Sequence, residues 1–337
     1  MIETPIRLEM ERTPFRPHPL LQNAHAQTIG AFFLPRRLAR LRRLSAPRLF
    51  DGAGDAKVLA HCAWQTKPDA APAVVLVHGL EGSAESHYML GTGEKALAAG
   101  LNLVRLNMRN CGGTEHLAST LYHAGMTEDL RQVVTELIER DGVRQIVLVG
   151  FSLGGNVALK LAGEYADDPP DELCAVAAIS PSIHLKSCID SIELRSNLLY
   201  HRRFVRSMKS RLALKARIFP DRYDTSHLRS IKSIRGFDDA YTAPLSGFRD
   251  SADYYERASA LPYIASIGVP TLIIHAKDDP LIPFEPFCRE PLAANANLTL
   301  LAPDHGGHVG FVAARNGEPD IFWSEHRTTQ FVRLVCG

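Results

Sequence analysis

Gln145-Ile146-Val147-Leu148-Val149-Gly150-Phe151-Ser152-Leu153-Gly154-Gly155-Asn156-Val157-Ala158-Leu159-Lys160 is the stretch on which the fold turns. An apolar run is followed by a G-x-S-x-G pentapeptide and then by apolar residues at helical spacing, so the pentapeptide lies between a strand and a helix. A sharp strand-to-helix turn presses the positions two residues either side of its centre against their surroundings. Only small residues fit there, and the central residue is held in a strained conformation with its side chain projecting. Ser152 is therefore a candidate nucleophile.

Working outward, short β-type runs recur at Lys57 to Trp64, Ala73 to Val77, Leu101 to Asn107, Leu173 to Ser180, Val269 to His275 and Asn297 to Leu301. Helical spacing appears between them at Ser86 to Ala99, Thr127 to Arg140 and Ser152 to Tyr165, with Gly100 and Gly142 at expected helix ends. Strands alternating with helices imply an α/β fold with a mostly parallel central sheet flanked by helices. The alternation lapses from about Ile183 to Pro262, which predicts a helical cap insertion over 183–262, with the core formed by 1–182 and 263–337 and an N-terminal extension over about 1–50.

The composition is that of a globular enzyme, 45% hydrophobic and 22% charged. A net charge of +1 gives no general case for nucleic-acid binding. The charge is uneven, however: His184 to Gly236 holds thirteen Lys/Arg against four Asp/Glu, and Leu34 to Leu49 is rich in arginine. Both segments are read as solvated surface or packing, with contact to anionic lipid surfaces, and a preference for anionic esters, as the alternative. The six cysteines form no C-x-x-C pair, which fits a reducing cytoplasm better than a disulfide framework. Met1 to Glu11 has no apolar leader core, and no run approaches the ~18 apolar residues of a membrane span, so a soluble, cytoplasmic protein is expected.

A serine hydroxyl needs a histidine base, and the histidine a carboxylate that fixes its tautomer. In a strand-turn-helix context the expected order is Ser, acid, His. Asp278 and Asp279 follow the run ending at His275, and His305 and His308 follow the next one, with two glycines before His308 read as a mobile, tightly turning loop. The residues alone do not rank the two acids or the two histidines firmly; Asp279 and His308 are the adopted pair. A zinc site at His305 and His308 is weaker, because their spacing is not that of H-E-x-x-H. The oxyanion needs backbone donors, assigned to Leu80 N–H in His78-Gly79-Leu80-Glu81-Gly82 and to Leu153 N–H beside the nucleophile. His78 is given a structural hydrogen-bonding role. Arg109, Asn110 and Cys111 lie in a loop that reaches the same sheet edge and reads as a connection.

Several segments together resemble the YheT-like subfamily of α/β-hydrolases, related to the mammalian α/β-hydrolase-domain lipid esterases. They are Pro19 to Thr28, His78 to Ser83, Asn107 to Gly113, Gly150 to Asn156, Asp253-Tyr254-Tyr255, Asp278-Asp279-Pro280 and His305 to His308. The resemblance implies the α/β-hydrolase fold, a triad of Ser152, Asp279 and His308 with the acid before proline as the matching position, and no cofactor or metal. Those mammalian relatives carry a membrane anchor near the N-terminus, and this sequence shows no such span.

The expected function is a serine hydrolase cleaving carboxylic esters of small molecules or lipids. Thioester or amide hydrolysis remains open on the same residues, and a catalytically idle binding protein is the alternative of another class. An aspartate-nucleophile hydrolase is disfavoured by the serine at the turn. Acyl length and oligomeric state are not encoded legibly.

Overall fold

The computed structural model describes residues 5–166, 168–315 and 317–337. Its strands are β1 (Ala46–Asp51), β2 (Lys57–Ala63), β3 (Ala73–Val77), β4 (Asn102–Leu106), β5 (Ile146–Phe151), β6 (Leu173–Ile179), β7 (Thr271–Ile274) and β8 (Leu298–Leu301). They form one eight-stranded sheet in the order β1-β2-β4-β3-β5-β6-β7-β8. β1 pairs with β2, and β2 with β4, antiparallel; every other pair is parallel.

β3 and β5 are buried along their whole length, which explains why they read as unbroken apolar runs rather than alternating ones. Their side chains still alternate in direction. Val75, Val77 and Leu148 pack on one face with the apolar stripe Leu130, Val133, Val134 and Leu137 of α5 (Glu128–Glu139) and with Val157 and Leu161 of α6 (Leu153–Tyr165). Val74, Leu76 and Val149 pack on the other with α4 (His87–Ala98) and the C-terminal helix Trp323–Cys336. The chain leaves β3 for β4 on one side and later returns to β5 on the other, so the strand order reverses at β3. Ligand crevices in open α/β sheets form at the carboxyl ends of strands beside such a reversal.

Between β6 and β7 the described chain is helical, without a strand. It includes α7 (Leu185–Ile192), α8 (Leu198–Ile218), a π-helical turn Asp238–Thr242 and the helix Ser251–Ala258. α8 turns Val205, Met208 and Leu212 inward and Arg202, Arg203, Arg206 and Arg217 outward, while Arg211 faces Glu81. The buried Asn156 of α6 joins this segment to the core: its Nδ2 donates to the carbonyls of Ala124 (2.9 Å) and Ala258 (2.8 Å), and its Oδ1 accepts from Ala260 N–H (2.8 Å).

Two features of the arginine-rich N-terminal stretch differ from a solvated segment. The stretch follows α1 (Pro5–Glu11) and α2 (Ala24–Phe33), contains α3 (Ala39–Leu44) and runs into the edge strand β1, and two of the stretch's arginines, Arg36 and Arg48, are engaged inside the fold. Arg36 pairs with buried Glu325 at 2.8 Å and lies 3.6 Å from the centre of the Phe322 ring; Arg48 pairs with Glu136 (2.8 Å) and Asp141 (2.5 Å). No described helix is long and apolar enough to cross a membrane.

Candidate active site

Ser152 occupies the turn between β5 and α6 with φ 53° and ψ −117°. The local reason is steric. A Cβ on Gly150 would fall 2.2 Å from the Gly154 carbonyl oxygen, and one on Gly154 would fall 2.3 Å from the Val77 and 2.4 Å from the His78 carbonyl oxygens. Both glycines are therefore required by close backbone approach. Ser152 N–H donates to the Ile179 carbonyl (2.9 Å) and its own carbonyl accepts from Ser182 and Asn156, so the strained residue is held from both neighbours.

The hydroxyl of Ser152 lies 3.0 Å from His308 Nε2, and His308 Nδ1 lies 2.8 Å from Asp279 Oδ2. Asp279 sits in the turn after β7, and its other oxygen accepts from the amides of Leu281 (2.9 Å) and Ile282 (3.0 Å). Burial would raise this carboxyl, but the adjacent His308 and the amide donors outweigh it and hold it below the usual carboxylate range. His275, stacked on Phe287 with ring centres 4.0 Å apart, lies beneath the same acid, and burial pushes its pKa down to about 4. It is a neutral ring at ordinary pH.

Asp278 and His305 are placed elsewhere. Asp278 accepts from Gly307 N–H (2.9 Å) and meets the exposed His305 ring at 3.3 Å, so one acid faces His308 and its neighbour ties down the loop that carries it. That loop is not the free hinge its glycines suggest. His308 N–H donates to Thr28 Oγ1 (2.8 Å), Val309 N–H donates to Ser180 Oγ (3.1 Å), and a Cβ on Gly307 would lie 2.4 Å from the Ala24 carbonyl oxygen. Gly307 permits close contact with α2 (Ala24–Phe33), and a Cβ on Gly306 would lie 2.7 Å from the Phe311 ring.

After β3 the chain runs through Gly79 and Leu80 beside Ser152, whose Cβ lies 3.0 Å from where a Cβ on Gly79 would fall. His78 is buried and accepts Met108 N–H at Nε2 (3.0 Å), so its ring proton sits on Nδ1 and is donated to the Gly79 carbonyl (2.7 Å). Burial pushes the ring down to about 4, keeping this neutral tautomer. Because the Gly79 carbonyl and Leu80 N–H belong to one trans peptide, fixing the carbonyl aims the amide the opposite way. Among the described residues, neither Leu80 N–H nor Leu153 N–H donates to a protein acceptor. Further braces come from Tyr88, whose hydroxyl accepts Gly79 N–H (3.0 Å), and from Glu81, which meets Tyr122 (2.9 Å), Ser207 (2.5 Å) and Arg211 (3.0 Å).

The Arg109 loop is structural. Arg109 makes a buried two-pronged pair with Asp129 (both 2.6 Å), and burial pushes the Cys111 thiol up to about 12, leaving it protonated and inert.

A cavity of about 310 Å³ opens at Ser152 and His308, walled by Thr28, Phe32 and Tyr88 on one side and by Tyr200 and Phe204 of α8 on the other. A smaller one of about 60 Å³ lies beyond Leu80 and Leu153 beneath α8, lined by Leu185, Ile189, Met208 and Phe237, with buried Asp238 in its wall. Thr28, Tyr88, Glu81 and Tyr200 are the residues that sequence reasoning missed. Thr28 and Glu81 lie in segments that carried a signal through the resemblance, Pro19 to Thr28 and His78 to Ser83, without any chemistry assigned to either residue.

This strand order and this elbow define a class, and comparison agrees: the chain belongs to the α/β-hydrolase fold family, whose family model matches residues 72–313. Within that family it is a YheT-like member. It is 33% identical over 312 residues to the candidate esterase YheT of Escherichia coli, covering 90% of this chain and 88% of that one. It is 31% identical over 280 residues to a monoacylglycerol lipase of Saccharomyces cerevisiae, covering 79% of this chain and 60% of the yeast protein. Among solved structures, the Pyrococcus furiosus esterase Pf2001 superposes with a TM-score of 0.60 at 17% identity over 96% of this chain and 99% of that one, a likeness of fold.

Proposed function

We propose that the protein hydrolyses carboxylic esters through an acyl-enzyme on Ser152, with residues 183–262 acting as the cap over the cavity. The observation that carries this reading is the continuous path from Ser152 Oγ to His308 Nε2 (3.0 Å) and from His308 Nδ1 to Asp279 (2.8 Å). With its Nδ1 proton directed at Asp279, the neutral imidazole offers a lone pair at Nε2 to the serine proton. Ser152 Oγ attacks the ester carbonyl as His308 takes that proton. Asp279 stays ionised and stabilises the imidazolium, and the Leu80 and Leu153 amides bind the oxyanion. His308 then protonates the leaving alcohol. Water enters, gives a proton to His308 and attacks the acyl carbon; the bond from Ser152 Oγ to that carbon then breaks, releasing the carboxylic acid, as His308 returns its proton to Oγ.

The apolar lining of both cavities, and the lipase named among the relatives, support an acyl group of a small-molecule or lipid ester as the part that is held. Alanine at Ser152 is expected to abolish labelling by a fluorophosphonate probe and to lower turnover of a soluble p-nitrophenyl ester about 10⁴-fold or more, leaving the fold intact. Wild-type protein that neither labels nor turns over ester would reassign the fold to binding. Retention of turnover by Ser152→Ala would remove the serine from the mechanism.

A further inference from the structure

The mouth of the larger cavity is bordered by a face that the proposed chemistry does not use. On α2, Phe32 is 48% and Phe33 74% exposed; on the first turn of α8, Leu199 is 78% exposed. Single exposed apolar residues are ordinary, but several grouped around a cavity mark a surface that meets something apolar. The two helices are joined here: the His25 and Tyr200 rings stack, with Nδ1 3.2 Å from the hydroxyl, and the Arg203 guanidinium lies 5.5 Å from the centre of the Phe32 ring.

Leu199, Arg202, Arg203 and Arg206 fall in one sector of α8 at 100° per residue, opposite the buried Val205, Met208 and Leu212. Arg202 and Arg206 are exposed, and among the described residues neither has an ion-pair partner. Arg211 and Arg235 of the same basic segment, by contrast, are held by Glu81 and by Asp190. Aromatic and aliphatic side chains beside uncompensated guanidinium groups match the boundary between acyl chains and anionic head groups. A second copy of this chain fits less well, because a two-fold contact on this face would oppose like charges.

We propose that the α2–α8 rim docks on an anionic lipid bilayer, Phe33 and Leu199 entering the head-group boundary and Arg202 and Arg206 meeting lipid phosphates, so that the cavity opens onto the lipid. The docking itself stands apart from ester hydrolysis; only the delivery of a lipid ester to Ser152 rests on that reading.

The test is co-sedimentation of the full chain with vesicles of phosphatidylcholine alone or mixed with phosphatidylglycerol. Binding to the mixed vesicles is expected to be at least ~10-fold stronger and to weaken as salt is raised. The double variant Arg202→Glu/Arg206→Glu is expected to lose binding roughly 10-fold or more, and Leu199→Ser several-fold. Arg144→Glu, an exposed position just before the amino end of central strand β5, should bind as wild type. All three should turn over a soluble short-chain ester within about 2-fold of wild type, since none of these residues lines the cavity. Equal affinity for both vesicles, or binding indifferent to the double variant, overturns the proposal. So does a dimer that dissociates on Leu199→Ser, which would give the face to a second copy. Wild-type protein inactive on every ester would sink the hydrolase reading while the vesicle result still decided the docking.

Discussion

Asp278 and Asp279 share a side chain and a loop, yet their surroundings make them different groups. Asp279 is buried, accepts two amides and faces His308; Asp278 accepts Gly307 N–H and the edge of an exposed ring. Asparagine at 279 keeps the size but presents an amide to Nδ1, favouring the wrong tautomer, and kcat on a soluble ester is expected to fall about 10³- to 10⁴-fold. Asparagine at 278 removes only a brace on the loop, so a loss below about 10-fold is expected. Steady-state kinetics on the two variants checks the assignment, and a reversed order would exchange the roles of the acids. Neighbours in a tight turn point in different directions, and no property of the dipeptide itself says which one meets a histidine 29 residues later. For the same reason Thr28 and Glu81 were illegible: a hydroxyl and a carboxylate become braces only through partners 280 and 130 positions away.

The elbow is legible because its constraint is local. Small residues at 150 and 154 follow from the turn itself, and the turn follows from a strand and a helix meeting across five residues. Alanine at Gly154 would force the turn away from the Val77 and His78 carbonyls. It is expected to cost about 1–3 kcal/mol, read from the denaturant midpoint, together with most of the ester turnover. A Gly154→Ala protein as stable and active as wild type would show that the contact is not a constraint. The buried strands were equally readable, β3 coinciding with its apolar run and the others shifting by a residue or two at their ends. β1 was not. As an edge strand it pairs on one side only, carries Pro47 and leaves half of its residues exposed, so neither alternation nor apolar continuity marks it. The close packing at Gly307 was not legible, because a sequence shows the absence of a side chain and not the Ala24 carbonyl pressed against the gap.

Across the whole molecule, burial decides how stability responds to acid. His78 and His275 are both pushed down to about 4, against an ordinary value of 6.5. Between those values the unfolded chain binds protons that the folded one refuses, so stability rises with pH through that window and is lost on acidification. Each ring contributes up to about 1.4 kcal/mol per pH unit. The lowered Asp279 acts in the same direction at still lower pH, since its stabilisation disappears as pH falls through its folded value. Asp238, pushed up to about 7 by burial, opposes this trend, but His87 and His123, pushed down to about 3 and about 4, add to it, so urea midpoints measured from pH 7 to pH 5 should fall, and a flat profile would mean that the rings are not buried neutral.

The hydrogen bond from His308 to Thr28 joins positions 280 residues apart. In a growing polypeptide position 308 is added 280 residues after position 28, so this tie, and on the proposed mechanism the pairing of Ser152 with its base, can form only once both segments have been made. If Ser152 acts as proposed, a nascent molecule that has not yet reached His308 carries the attacking hydroxyl without the group that would activate it.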